Sequence, residues 1–123
     1  MRMKLLLFIA LGLLALCSEA REIQCRIPLK PGQSEATVKG RIHGPSDWVL
    51  CAFTGRSGQH FAMRLEPGKD LVAQMVLVAP SGKQEGPGTN LTGSLDESGT
   101  YHIRITPREQ TRGGFKLHFQ LTG

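Results

Sequence analysis

A chain of 123 residues with 15 glycines, 7 prolines and a single tryptophan has the size of one small domain, which argues against a multidomain enzyme. Its formal net charge is +5, but basic residues such as Arg26, Lys39, Arg41, Arg56, Arg64, Arg104, Arg108 and Arg112 are scattered, unlike a nucleic-acid-binding stripe. After residue 20 no apolar run approaches the length of a membrane-spanning helix.

The first element in chain order reads as a cleavable signal peptide, Met1 to Ala20. Arg2 and Lys4 supply the positive start, Leu5 to Leu16 is apolar apart from Gly12, and Ser18-Glu19-Ala20 places small residues at the cleavage positions. Leu14-Ala15-Leu16-Cys17 resembles a lipoprotein box, yet Leu16 stands where that box needs a small residue. The reading is therefore export to the periplasm or beyond, with no membrane insertion after cleavage. Losing the leader takes fifteen basic residues to thirteen and ten acidic residues to nine, a net charge of +4 over residues 21–123.

Cleavage also leaves two cysteines, Cys25 and Cys51, in an oxidising compartment, where a disulfide is the natural outcome. Closing that 27-residue loop would stabilise the domain by about 3.5 kcal/mol on the chain-entropy estimate. Metal or redox chemistry has less support, because no C-x-x-C spacing occurs and the nearest histidine in sequence to Cys51 is His43.

From Ile23 onward apolar and polar residues alternate with period two, and Gly and Pro separate the runs. The runs are Ile23–Ile27, Ala36–Ile42, Trp48–Phe53, Gln59–Leu65, Val72–Ala79, a weaker Asn90–Leu95, Tyr101–Thr106 and Phe115–Leu121. They predict an all-β, antiparallel, jelly-roll-like sandwich of seven or eight short strands. His43–Asp47, Thr54–Ser57, Glu66–Asp70 and Ser81–Thr89 read as turns, the last of them long, polar and mobile.

If the last two strands pair directly, matching their apolar faces puts Tyr101 opposite Phe119 and Ile103 opposite Leu117. The loop Pro107 to Gly113 then bulges beyond the sheet with two arginines, as either a recognition loop or a solvated turn. The same register sets His102 opposite His118. Two ligands without a third, beside Arg104 and Lys116, do not make a metal site. No H-E-x-x-H, G-x-S-x-G or phosphate-binding glycine motif occurs, so no catalytic residue, cofactor or metal is expected. Asn90-Leu91-Thr92 fits a glycosylation acceptor, relevant only in a host that glycosylates.

The order of landmarks adds a resemblance. Val38-Lys39-Gly40 ends one strand, Gly58-Gln59 follows Phe53, and Leu77-Val78-Ala79-Pro80-Ser81-Gly82 precedes Ser98-Gly99-Thr100-Tyr101 and a closing Gly114-Phe115-Lys116-Leu117. Over roughly residues 36–121 this resembles the secreted pre-peptidase C-terminal module and, more narrowly, the bacterial periplasmic inhibitors of goose-type (g-type) lysozyme. The resemblance implies a non-enzymatic inhibitor whose loops at one end of a sandwich plug the lysozyme cleft. Arg108 and Arg112 would be set against its acidic floor, with Asp47 and Trp48 in the neighbouring Pro45–Trp48 loop. Trp48 is read as either a partner anchor or a core residue. Pro45, Ser46, the shorter last loop and the cysteine pair depart from that family's pattern. The rival reading is a glycan- or envelope-binding module that uses its outward strand faces, against which the scarcity of aromatics argues.

Overall fold

Alternation resolves into strands because every second side chain must leave water. The computed structural model describes residues 21–30 and 33–123, so the expected signal peptide and Cys17 lie outside the described residues. Nine strands form: β1 (Arg21–Arg26), β2 (Glu35–Ile42), β3 (Asp47–Gly55), β4 (His60–Pro67), β5 (Val72–Val78), β6 (Gln84–Gly88), β7 (Asn90–Ser94), β8 (Gly99–Arg108) and β9 (Gly113–Thr122). They make a five-stranded sheet, β1-β3-β8-β5-β6, and a four-stranded sheet, β2-β9-β4-β7. The sheets face each other across one core, the all-β sandwich that the alternation predicts.

Inward residues of both layers fill that core. Val49, Cys51, Phe53, Met75, Leu77, Tyr101, Ile103 and Ile105 come from the larger sheet, and Phe61, Met63, Leu65, Phe115, Leu117 and Phe119 from the smaller. Each fully buried aliphatic side chain contributes about 1.5–3 kcal/mol against exposure. Phe53 joins the layers, with its ring centroid 5.3 Å from that of Tyr101 in its own sheet and 4.6 Å from that of Phe119 in the other.

This arrangement corrects the expected pairing of the last two strands. β8 lies between β3 and β5, whereas β9 lies between β2 and β4. Tyr101 pairs with Phe53, and Phe119 with Ala36 and Met63. Alternation states which face is buried, and facing across a core satisfies it as well as direct pairing does. His102 and His118 consequently sit on different sheets, His102 opposite Ala52 and Val78, His118 opposite Thr37 and Arg64.

Two more corrections concern edges. Ser81–Thr89 is not one long turn. It contains β6, which pairs with β5 through an irregular register after a hairpin closed by the Ala79 N–H donating to the Lys83 carbonyl at 2.8 Å. Its side chains are almost all exposed, so it shows no period-two pattern. At the other edge β1 runs parallel to β3, the exception to an otherwise antiparallel set of pairings among the described strands. The intervening β2 crosses to the second sheet, so the chain returns to β3 in the direction in which it left β1.

That parallel register brings Cys25 directly opposite Cys51, with Cα atoms 4.3 Å apart, and the two form the expected disulfide. It ties an edge strand of six residues, laddered on one side only, to the buried middle of β3.

Candidate functional site

The strand registers gather one set of termini at the same end of the sandwich. Arg21 opposes Asp47, Val72 opposes Arg108, Ile42 opposes Gly113 and Pro67 opposes Phe115. Three connections therefore cluster there: His43–Ser46 between β2 and β3, Gly68–Leu71 between β4 and β5, and Glu109–Arg112 between β8 and β9. The last crosses from one sheet to the other. It is shorter than the expected Pro107–Gly113 bulge, because Pro107 and Arg108 extend β8 against β5 and Gly113 already belongs to β9.

Arg108 is the exposed last residue of β8, and its Nη1 donates to the Gln74 Oε1 at 3.3 Å. Arg112 is exposed and makes no ion pair among the described residues. Between them Glu109 and Gln110, both exposed, hold φ values of 58°. Thr111 anchors the turn: its N–H donates to the Arg108 carbonyl at 3.1 Å, and its Oγ1 accepts the Val72 N–H at 2.9 Å. Val72, at 40% exposure, is the one large hydrophobic side chain standing clearly in solvent among the described residues. Lys69 and Asp70 add further exposed charge at this end, where His43 is also exposed.

The neighbouring Pro45–Trp48 segment does reach the same end, but its two named residues differ in setting. Asp47 is 7% exposed and accepts from the Arg21 guanidinium, Nη2 to Oδ2 3.3 Å, so it begins β3 and holds the start of β1. Trp48 alternates outward with Leu50 and is half-buried on the open face of the larger sheet, opposite Glu22 of β1. The sequence reading places Glu109, Gln110 and Thr111 in the Pro107–Gly113 loop but singles out only its arginines, since Glu-Gln carries no turn signature. It misses the Arg21–Asp47 pair, which only the parallel pairing of β1 creates.

A second charged surface lies on the open face of the smaller sheet. Lys39 and Lys116 oppose each other, and Glu66 beyond them accepts a hydrogen bond from the His118 Nε2 at 2.8 Å, with Arg64 at 3.5 Å. That hydrogen bond, helped by the electrostatic influence of His118, Lys116 and Arg64, holds the Glu66 carboxyl below its ordinary pKa. A shallow hollow of about 260 Å³ lies beside it, lined by Thr37, Ala62, Arg64, Thr92, His118 and Gln120 among others. Its polar, open walls offer no enclosed pocket for a small ligand.

No family model and no curated protein matches the sequence. Solved structures match the fold. The periplasmic inhibitor of g-type lysozyme from Aeromonas hydrophila superposes with a TM-score of 0.72 at 15% identity, covering 85% of this chain and 100% of that one. The corresponding inhibitor from Salmonella Typhimurium gives 0.66 at 17% identity, over 81% of this chain and 98% of the other. The pre-peptidase C-terminal domain of a collagenase from Bacillus anthracis gives 0.57 at 13% identity, over 83% and 97%. Likeness at such identities is likeness of fold, and the resemblance noted in the sequence holds at that level.

Proposed function

We propose that this protein is an exported, non-enzymatic inhibitor that places the loop end of its sandwich in the cleft of a g-type lysozyme and so protects the peptidoglycan of the exporting cell. The observation that carries this reading is the convergence of His43–Ser46, Gly68–Leu71 and Glu109–Arg112 at one end of a fold shared with lysozyme inhibitors. Arg108 and Arg112 flank the exposed Glu109–Gln110 turn of the last connection, where guanidinium groups pair strongly with carboxylates once water is excluded. At the same end, Asp47 is paired with Arg21 at the start of β3, and Trp48 stands half-buried on the open face of the larger sheet. The sequence reading of Met1–Ala20 as an export signal is consistent with an encounter in the periplasm.

The test is a lysis panel with goose, chicken and invertebrate lysozymes. Suppression of the goose-type enzyme, weakened about tenfold or more by Arg108→Ala or Arg112→Ala, is expected if each guanidinium meets a desolvated carboxylate. Equal inhibition by both variants and the unsubstituted protein would remove the arginines from the contact. A glycan- or envelope-binding role is the second reading, favoured by Trp48 on an outward sheet face. Sedimentation of the protein with purified peptidoglycan, lost in Trp48→Ala, would favour it.

A further inference from the structure

We infer that the element entering the partner's cleft is the strained turn tip Glu109-Gln110, and that it fits a cleft built to receive acetamido and carboxylate groups of an amino-sugar polymer. This rests on the inhibitor reading above and names the part of the loop end that makes the recognition. The first observation is conformational. Glu109 and Gln110 both sit at φ 58°, a left-handed pair that residues with a Cβ avoid and that turns of this hand usually assign to Asn-Gly or Gly-Gly. Glycines were available: Gly113 and Gly114 follow within four residues but begin β9 instead.

The second observation is that folding gains nothing from these two side chains. Both are exposed, and neither joins the core or an ion pair among the described residues. The strain is held from outside the tip. The Thr111 N–H closes the turn on the Arg108 carbonyl at 3.1 Å, and its hydroxyl lies 2.6 Å from that carbonyl and 3.1 Å from the Val72 carbonyl while accepting the Val72 N–H at 2.9 Å. The Gly68 N–H donating to the Gly114 carbonyl at 2.8 Å fixes the other flank. Strained backbone that its surroundings over-determine marks sites where the side chains serve a contact. A tip held rigid before binding also loses little freedom on docking.

The chemistry of the tip indicates the partner. The Gln110 carboxamide carries the same carbonyl and N–H groups as the acetamido substituent of an N-acetylated sugar. The Glu109 carboxylate carries the charge of the lactyl carboxyl in peptidoglycan. With Arg108 and Arg112 on either side, the tip offers substrate-like groups to the sugar subsites and cations to the acidic residues that cleave the glycan.

The experiment compares Glu109→Ala, Gln110→Ala and the double variant Glu109→Asn, Gln110→Gly with the unsubstituted protein. Each is assayed against goose-type lysozyme with and without the N-acetylglucosamine hexamer, alongside thermal unfolding. The alanine variants should unfold as the parent does and inhibit at least tenfold less, and the hexamer should compete with the parent. The double variant should gain about 3–8 °C in Tm by relieving the strain while losing inhibition. A more stable double variant with full inhibition would overturn the assignment, as would one with no gain in Tm. Absence of inhibition by the unsubstituted protein would instead overturn the inhibitor reading on which the assignment rests.

Discussion

Breaking the Cys25–Cys51 disulfide perturbs the one covalent link between the edge strand and the core. The bridge spans 26 positions, so it closes a loop of about 27 residues, and the chain-entropy relation gives about 3.5 kcal/mol at 25 °C. The structure shows why that constraint is felt. β1 is laddered on one side only, yet Ile23 and Cys25 pack against the core and the Ile27 N–H donates to the Ala52 carbonyl at 3.0 Å. For a domain of about 100 residues each kcal/mol is worth roughly 4–5 °C, so Cys25→Ala with Cys51→Ala should lower Tm by about 15 °C. Alanine at both positions avoids placing a hydroxyl at the fully buried position 51. The assay is thermal unfolding by circular dichroism, with the reduced and alkylated parent as a second arm. A drop under about 4 °C would mean that the loop is restricted in the unfolded chain without the bridge, and the chain-entropy account of the disulfide would not hold.

Gly40→Ala should be disruptive, because Gly40 lies on the inward-alternating side of β2 with Ala36, Val38 and Ile42. A Cβ there would stand 2.5 Å from the Phe115 Cζ, so the buried ring must move, at about 1–3 kcal/mol, measurable as a lower denaturation midpoint without a change in slope. Glu66 predicts a pH effect of defined sign. Its folded-state pKa is lowered, first by the hydrogen bond from His118, so its contribution is present above the unfolded-state value and is lost as pH falls through the folded one. An NMR titration should find the carboxyl below its ordinary value and moved upward in His118→Ala, whereas an unmoved titration would deny the hydrogen bond its role.

Much of the fold was legible because burial acts on alternate residues. The inward sets Ile103, Ile105 and Leu117, Phe119 are recognisable from period two alone, and the disulfide from Cys25 and Cys51 being the two cysteines outside the segment read as a leader. Neighbour relations were not legible, since Tyr101 and Phe119 meet the same parity whether they pair or face each other across the core. β6 was hidden because exposed Gln84, Glu85 and Gly86 join the sheet through backbone hydrogen bonds, which leave no mark in side-chain pattern. At the candidate site the arginines stood out by charge. The Glu109-Gln110 tip did not, because its conformation is imposed by Thr111 and Val72, partners separated by 39 positions in the chain.

The most direct test of the inhibitor reading is a titration of goose-type lysozyme, acting on peptidoglycan, with the purified domain of residues 21–123. Lytic activity should fall to near zero at a molar ratio close to one, while chicken-type lysozyme keeps its activity under the same conditions. Undiminished lysis by the goose-type enzyme at micromolar protein would contradict the inhibitor reading.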